Sequence, residues 1–270
     1  MKTVILMEDT CGHPLCRAEH GLSVYMETKK HRLLVDTGAS DAFLENAKVL
    51  GIDLTKVDTL ILSHGHYDHA GGILAFRALN PHAAIYMQRS ATEDYYHGER
   101  YIGIDKKIAG LPGVYLLDGD CRIDEELFLF SNITGRKYFA QSNLLLSKRV
   151  DGKHVQDQFA HEQCLVITQG QEHTLVSGCA HNGILNILSR YSECFAEEPK
   201  TVISGFHMMK KGIYTEEEAE TILETAKQLA QMDTTFYSGH CTGSPAMALM
   251  APILQQKLVE IHSGMQISDC

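Results

Sequence analysis

The run His64-Gly65-His66-Tyr67-Asp68-His69 places three imidazoles and one carboxylate within six residues. Neutral imidazole nitrogen and carboxylate oxygen are the ordinary ligands of zinc and other borderline divalent cations. His64 and His66 are two apart, so on an extended chain leaving a strand both side chains face the same way. Asp68 and His69, past a bend, reach a neighbouring point. The chain holds 15 His among 270 residues, and Asp is equally common. At that composition the pattern arises by chance on the order of once in four hundred such chains. The competing reading is a loop of solvated or mutually hydrogen-bonded histidines; a metal site is the stronger one.

Three further histidines stand where an apolar run and a Ser-Gly pair end: His181 in SGCAHNG, His207 in SGFHMM and His240 in SGHCTG. A two-metal site takes about six or seven protein ligands, and the first motif supplies four. His181 and His240 are the preferred completions; His207 stays open between ligand, substrate contact and outer support. Cys179 and Cys241 flank two of these histidines, either as thiolate ligands or as small buried apolar groups. Asp36 also ends a strand, where a carboxylate accepts the second N–H of a ligating imidazole and fixes its tautomer. His13, His20, His31, His82 and His262 lie near turns or element ends and carry no such case.

Such side chains need rigid strand ends to present them. Residues 3–7 and 21–27 read as an opening pair of strands, and 31–35 as a third that ends in Asp36-Thr37-Gly38. Ser40 is the expected N-cap of a short helix reaching Asn46. The apolar run 57–63 leads into the histidine motif, a helix near 72–80 stops before Asn80-Pro81, and 83–87 is a strand. Residues 90–112 are polar and tyrosine-rich, either a substrate loop or a surface excursion. Antiparallel strands are expected at 114–117, 126–130 and 144–147, with a hairpin from 163–168 to 173–177 around Gln169-Gly170. Helices at 182–191, at 215–231 with Thr215 and Glu218 as a capping box, and from 244 to about 262 alternate with strands at 201–204 and 235–237. No linker or repeat divides the chain. Residues 1–270 therefore read as one domain of two β-rich halves with helices outside.

Composition narrows the partners. The balance of 24 basic against 34 acidic residues gives −10, and no basic cluster suggests a nucleic-acid face. No apolar run approaches the roughly 20 residues of a membrane span. The N-terminal apolar stretch meets Glu8-Asp9 and reads as a first strand rather than a signal peptide. The eight cysteines, Cys11, Cys16, Cys121, Cys164, Cys179, Cys194, Cys241 and Cys270, show no regular framework. They are expected as reduced thiols in a cytoplasmic protein.

Asp36-Thr37-Gly38, then HGHYDH followed by Ala70-Gly71-Gly72, then histidines at later strand ends resemble the metallo-β-lactamase superfamily over most of the chain. The resemblance implies an α+β fold, a four-layer αββα sandwich with the metal site at one edge of the two sheets. More narrowly, SGCAHNGILNI, SGFH and SGHCTG resemble the branch that includes the methanopterin-pathway dihydropterin synthase and related bacterial metal-dependent hydrolases. Carried over residue by residue, it implies His64, His66 and His181 on a first metal, and Asp68, His69 and His240 on a second. Zinc is the expected ion, with iron or manganese as alternatives. Hydrolases of this superfamily place a bridging Asp after the Ser-Gly pair; this chain has Cys179. Either Cys179 takes a metal role or the second site is more open.

The expected activity is hydrolysis of a small phosphoester or related ester by a water activated between two cations. Asp68 would orient that water, and His207 or a tyrosine from 90–112 would serve the leaving group. Lys210, Lys211 and Arg136 are candidates for anion contacts. One alternative is a transferase joining a dihydropterin pyrophosphate to an aminobenzene ribose phosphate; another is a non-catalytic metal or ligand sensor. The expected partner is a small-molecule substrate, with neither nucleic acid nor membrane, and a homodimer is left open.

Overall fold

The computed structural model describes residues 1–268, so Cys270 lies outside the described residues. Strands alternate side chains between faces, and the apolar residues divide accordingly. In Lys2–Met7, Val4 and Leu6 face one layer and Ile5 the other; in Cys164–Gln169, Val166 faces outward while Leu165 and Ile167 face inward. Each sheet is therefore apolar on both faces and must be covered twice.

The first sheet runs Gln266–Ser268, Lys2–Met7, Ser23–Glu27, Arg32–Val35, Thr59–Ile61, Ala84–Gln88, Val114–Leu117. The second runs Leu258–Glu260, Thr235–Ser238, Thr201–Ile203, Glu172–Val176, Cys164–Gln169, Leu127–Phe130, Cys121–Arg122. Ile5, Val24, Val35 and Ile61 of one meet Leu129, Leu165, Val176 and Ile203 of the other in the central layer. Helices Ala42–Val49 and Ile73–Leu79 cover the outer face of the first sheet through Phe43, Ala47, Ile73 and Phe76. Helices Ile184–Cys194, Glu216–Leu229 and Ser244–Leu254 cover the second through Ile187, Leu188, Ile222, Leu229 and Met250. This is the expected αββα sandwich.

Each sheet changes from antiparallel to parallel pairing part-way across. Arg32–Val35, Thr59–Ile61 and Ala84–Gln88 run parallel in the first sheet; Glu172–Val176, Thr201–Ile203 and Thr235–Ser238 do so in the second. Parallel strands finish at the same edge, and that edge is where α/β sheets present ligand groups.

Most elements fall where the pattern puts them, including the hairpin Cys164–Gln169 with Glu172–Val176 and the capping box of Thr215 and Glu218. Three differ. The last helix stops at Leu254 instead of running to about residue 262; Pro252 inside its last turn lacks an N–H and weakens that turn without itself ending it. Gln255 then turns at φ 49°, and Leu258–Glu260 joins the second sheet beside Thr235–Ser238. Residues 90–112 contribute Tyr95–His97 and Arg100–Tyr101 to a small four-stranded sheet with Leu146–Val150 and Lys153–Gln156. Ser40 does not cap in the expected way: the helix begins at Ala42, whose N–H donates to Ser40 Oγ, while Ser40 Oγ donates to Glu19. Among the described residues no helix is long and apolar enough to cross a membrane, and the seven described cysteines are free thiols.

Candidate metal centre

At the shared edge, four non-glycine residues just past parallel strands adopt left-handed backbone: Asp36 (φ 59°), Ala180 (φ 52°), His207 (φ 49°) and His240 (φ 48°). Such conformations are strained by roughly 1–3 kcal/mol each and persist where surrounding structure enforces them. Here they turn the chain sharply enough to aim side chains back over the sheet edge. Close approach needs glycine as well. A Cβ on Gly178 would stand 2.2 Å from Ser63 Oγ and 3.0 Å from His64 Nδ1. One on Gly205 would stand 2.4 Å from Cys241 Sγ.

Two pairs of imidazoles face one another inside this edge. His64 Nε2 and His181 Nε2 are 3.3 Å apart, and His69 Nε2 and His240 Nε2 are 3.2 Å apart. Cys179 Sγ lies 3.1 Å from His69 Nε2 and falls within ligand range of both pairs. Asp68 Oδ2 is 3.6 Å from His240 Nε2 and 3.9 Å from His69 Nε2. His66 is buried against His64 and His181, with ring centroids 4.7 Å from each, and its Nε2 has no partner.

The outward nitrogens decide what the inward ones carry. His69 Nδ1–H donates to Asp36 Oδ2 at 2.6 Å, and His240 Nδ1–H donates to Asp9 Oδ1 at 2.6 Å. His181 Nδ1–H donates to Asn143 Oδ1, whose amide nitrogen is committed to the His181 carbonyl. Ser63 Oγ donates to Asp36 Oδ2, so it accepts from His64 Nδ1–H. With the proton on Nδ1, each neutral ring turns an Nε2 lone pair inward. Two lone pairs 3.2–3.3 Å apart repel unless a proton or a metal ion lies between them, and ligand atoms sharing one zinc stand about 3.3 Å apart. The donor set therefore fits metal ions, and the orphaned His66 Nε2 fits the same purpose.

The electrostatics agree for His64 and His181 but not for His240, where burial opposes the charge yet the bonds to Asp68 and Asp9 outweigh it and hold the ring well above the ordinary histidine range, so that without a metal its Nε2 carries a proton. Burial, reinforced by neighbouring imidazoles, pulls His64 and His181 well below the ordinary histidine range. Burial and His161 bring His66 down to about 3. Burial and the adjoining Cys241 push the Cys179 thiol up. For Asp68 burial works against ionisation, but the bond to His240 and the charge of His69 outweigh it and hold the carboxyl below its usual range.

The edge thus brings together His64, His66, Asp68, His69, His181, His240 and Cys179, with Asp36 behind His69. His207 lies beside them, its ring 4.1 Å from that of His181 and its Nδ1 unpartnered, and it groups with Cys179 and Cys241. Two of the tyrosines of 90–112 give their hydroxyls elsewhere: Tyr95 O–H donates to the Ser90 carbonyl and Tyr101 O–H to that of Ile104. Tyr95 packs its ring on His66 and His161 instead. Of the candidate anion contacts, Lys210 pairs with Glu218, and Arg136 donates to backbone carbonyls and Asn182.

Several supporting residues carry no spacing signal. Asp9 and Asn143 hold ligand-pair histidines. Glu162 accepts from the His181 and Asn182 N–H groups, fixing that loop. His161 Nδ1 accepts from Gly65 N–H between His64 and His66, while its Nε2–H goes to Asp157. His20 bonds to Asp9 and stands at the rim. The acidic pair Glu8-Asp9 ending the first strand was the one available hint.

The sequence profile described as the metallo-beta-lactamase superfamily matches residues 17–136. The crystal structure of Tm1679, a metal-dependent hydrolase of the beta-lactamase superfamily, is 30% identical, with TM-score 0.83 over 100% of this chain and 99% of that one. A Methanocaldococcus jannaschii protein named 7,8-dihydropterin-6-methyl-4-(beta-D-ribofuranosyl)-aminobenzene-5'-phosphate synthase is 28% identical over 98% of this chain and 95% of its own. A second, uncharacterized protein of the same organism is 27% identical over 92% of this chain and 93% of its own.

Proposed function

Since the chain belongs to the metallo-β-lactamase superfamily, whose members typically bind divalent metals such as zinc, we propose that it is a hydrolase with a dinuclear centre shared through Cys179. His64, His66 and His181 would hold one ion, and Asp68, His69 and His240 the other. The observation that carries this reading is the two pairs of facing imidazoles, 3.3 and 3.2 Å apart, each ring with an outward Nδ1–H donor bond and both pairs beside one buried thiol. Many imidazoles, one sulfur and a single carboxylate favour zinc or iron over manganese, which prefers oxygen donors.

When bound, the two cations supply Lewis acidity and bring the pKa of a water towards neutrality. The chain's own groups do the rest. Asp68, ionised and at the open side of the site, orients the attacking water. His207, beside His181 with a free Nδ1, is the donor available to a leaving group. Asp36, Asp9 and Asn143 hold the imidazoles in one tautomer. The substrate class is a small ester or phosphoester, the kind of group that paired cations polarise. A transferase is the second reading, favoured by the end-to-end similarity to a protein named a synthase.

Metal content by plasma emission, followed by turnover of a chromogenic phosphodiester and a chromogenic ester, tests both. About two equivalents per chain and turnover of a lone substrate support the hydrolase. Two equivalents with turnover only after a second, nucleophilic substrate is added point to the transferase. Fewer than two equivalents after reconstitution sink the dinuclear centre.

A further inference from the structure

His20 repeats the arrangement of the four paired histidines. Asp9 bridges two imidazoles: its Oδ1 accepts from His240 Nδ1–H and its Oδ2 from His20 Nδ1–H at 2.8 Å. His20 in its neutral form therefore carries its proton on Nδ1 and leaves Nε2 as a lone pair. That nitrogen is 3.5 Å from Asp68 Oδ2, against 3.6 Å from Asp68 Oδ2 to His240 Nε2. The two rings lie alongside each other, centroids 4.7 Å apart. A lone pair facing a carboxylate oxygen at this range is relieved either by a metal ion between them or by a second proton on His20, whose bond to Asp9 raises it above the ordinary histidine range.

The position is also held firmly. Although the His20 side chain is 45% exposed, its backbone is fixed on both sides. Leu22 N–H donates to the Asp68 carbonyl at 3.3 Å. Glu19 N–H donates to the Glu8 carbonyl, and the Glu19 carboxylate accepts from Ala39 N–H, Ser40 N–H and Ser40 Oγ. Gly21 packs so tightly that a Cβ there would meet the Asp68 carbonyl at 2.7 Å. The loop that carries His20 is thus built onto the segment that carries Asp68.

We propose that His20 Nε2 is an additional ligand at the second metal position, closing its solvent side; this rests on the dinuclear centre proposed above. A histidine there would add a nitrogen donor from an exposed loop, one that an entering substrate oxygen could displace.

The test compares wild type, His20→Ala and, as a control from the same loop, His13→Ala. Zinc affinity at each position is read by chelator competition, and the ligand field by the visible spectrum of the cobalt-loaded protein. The expected result is two ions in all three proteins. In His20→Ala alone, the weaker-held ion should dissociate about tenfold or more readily, with a changed cobalt spectrum. Unchanged affinity and spectrum in His20→Ala would overturn the proposal even if turnover fell, because His20 would then act as an imidazolium between Asp9 and Asp68. Fewer than two ions in wild type would instead remove the dinuclear centre itself, a failure visible before any substitution.

Discussion

Asp36→Asn alters one atom and should disturb the second metal position more than the fold. The Asp36 carboxylate is fully buried and accepts three hydrogen bonds: Ser63 N–H at 2.7 Å to Oδ1, and Ser63 Oγ–H and His69 Nδ1–H, each at 2.6 Å, to Oδ2. An asparagine keeps one accepting oxygen. With that oxygen in the Oδ2 place, its amide meets Ser63 N–H; turned over, its amide meets His69 Nδ1–H. Either way a donor faces a donor in a buried site, which costs about 1–3 kcal/mol.

The second orientation offers a release. His69 can move its proton to Nε2, so that Nδ1 accepts from the new amide. The proton then sits on the nitrogen aimed at Cys179 and His240, where a cation must displace it. Loss of such an outer partner weakens metal binding by about 10–100-fold, or roughly 1.4–2.8 kcal/mol, the same range as the unsatisfied donor. We expect the weaker ion of Asp36→Asn to bind 10–100-fold less tightly by chelator competition. The other ion should be less affected, since it depends on Asp36 only through Ser63 and His64. Wild-type affinity for both ions in this variant would refute the tautomer argument.

Gly178→Ala places a methyl 2.2 Å from Ser63 Oγ, so the strand ends must part; we expect a loss of about 1–3 kcal/mol in chemical denaturation of the metal-free protein, and an unchanged midpoint would count against the close approach. Cys179→Ala should remove the near-ultraviolet thiolate-to-metal absorption of the cobalt-loaded protein and weaken both ions; a surviving band would transfer the sulfur role to Cys241. His31 places Nδ1 2.8 Å from Asp58 and Nε2 2.6 Å from Asp124, so only the imidazolium satisfies both carboxylates. Burial opposes that charge, but the two acids raise the His31 pKa above 6.5. The stabilisation is therefore complete below about pH 6.5 and fades as pH rises through the raised folded value. Comparing wild type with His31→Asn by urea denaturation, the advantage of wild type at pH 5.5 should shrink by about 1 kcal/mol at pH 8.5; a pH-independent difference would refute it.

What was legible in the sequence was whatever local chemistry dictates. HGHYDH announces ligands because its donors lie within one turn of chain, and the Ser-Gly histidines announce strand ends because apolar runs stop there. The alternation of strands and helices showed two β-rich halves with helices outside, while the four-layer sandwich was implied only by the resemblance to the superfamily. Apolar residues continue past Leu254 and suggest a longer helix, while the turn at Gln255 (φ 49°) that ends it leaves no mark in hydropathy. Asp9, His20 and Asn143 were not legible, because their roles depend on loops from distant segments meeting at one edge. Asp9 and His240, for example, are separated by 231 positions.

The hydrogen-bond pattern also separates histidines that composition cannot. His161 is as buried as His64, and their rings stack with centroids 5.9 Å apart, so proximity alone would admit it to the centre. Its Nδ1, however, accepts from Gly65 N–H at 2.9 Å, and its Nε2–H is given to Asp157 at 3.0 Å. No lone pair is left to turn inward. His64, His69, His181 and His240 do the opposite, donating from Nδ1 and turning Nε2 towards the centre. The side of each ring that meets its outer partner, more than its distance from the motif, decides whether a buried imidazole holds a cation or holds the backbone of the residue that does.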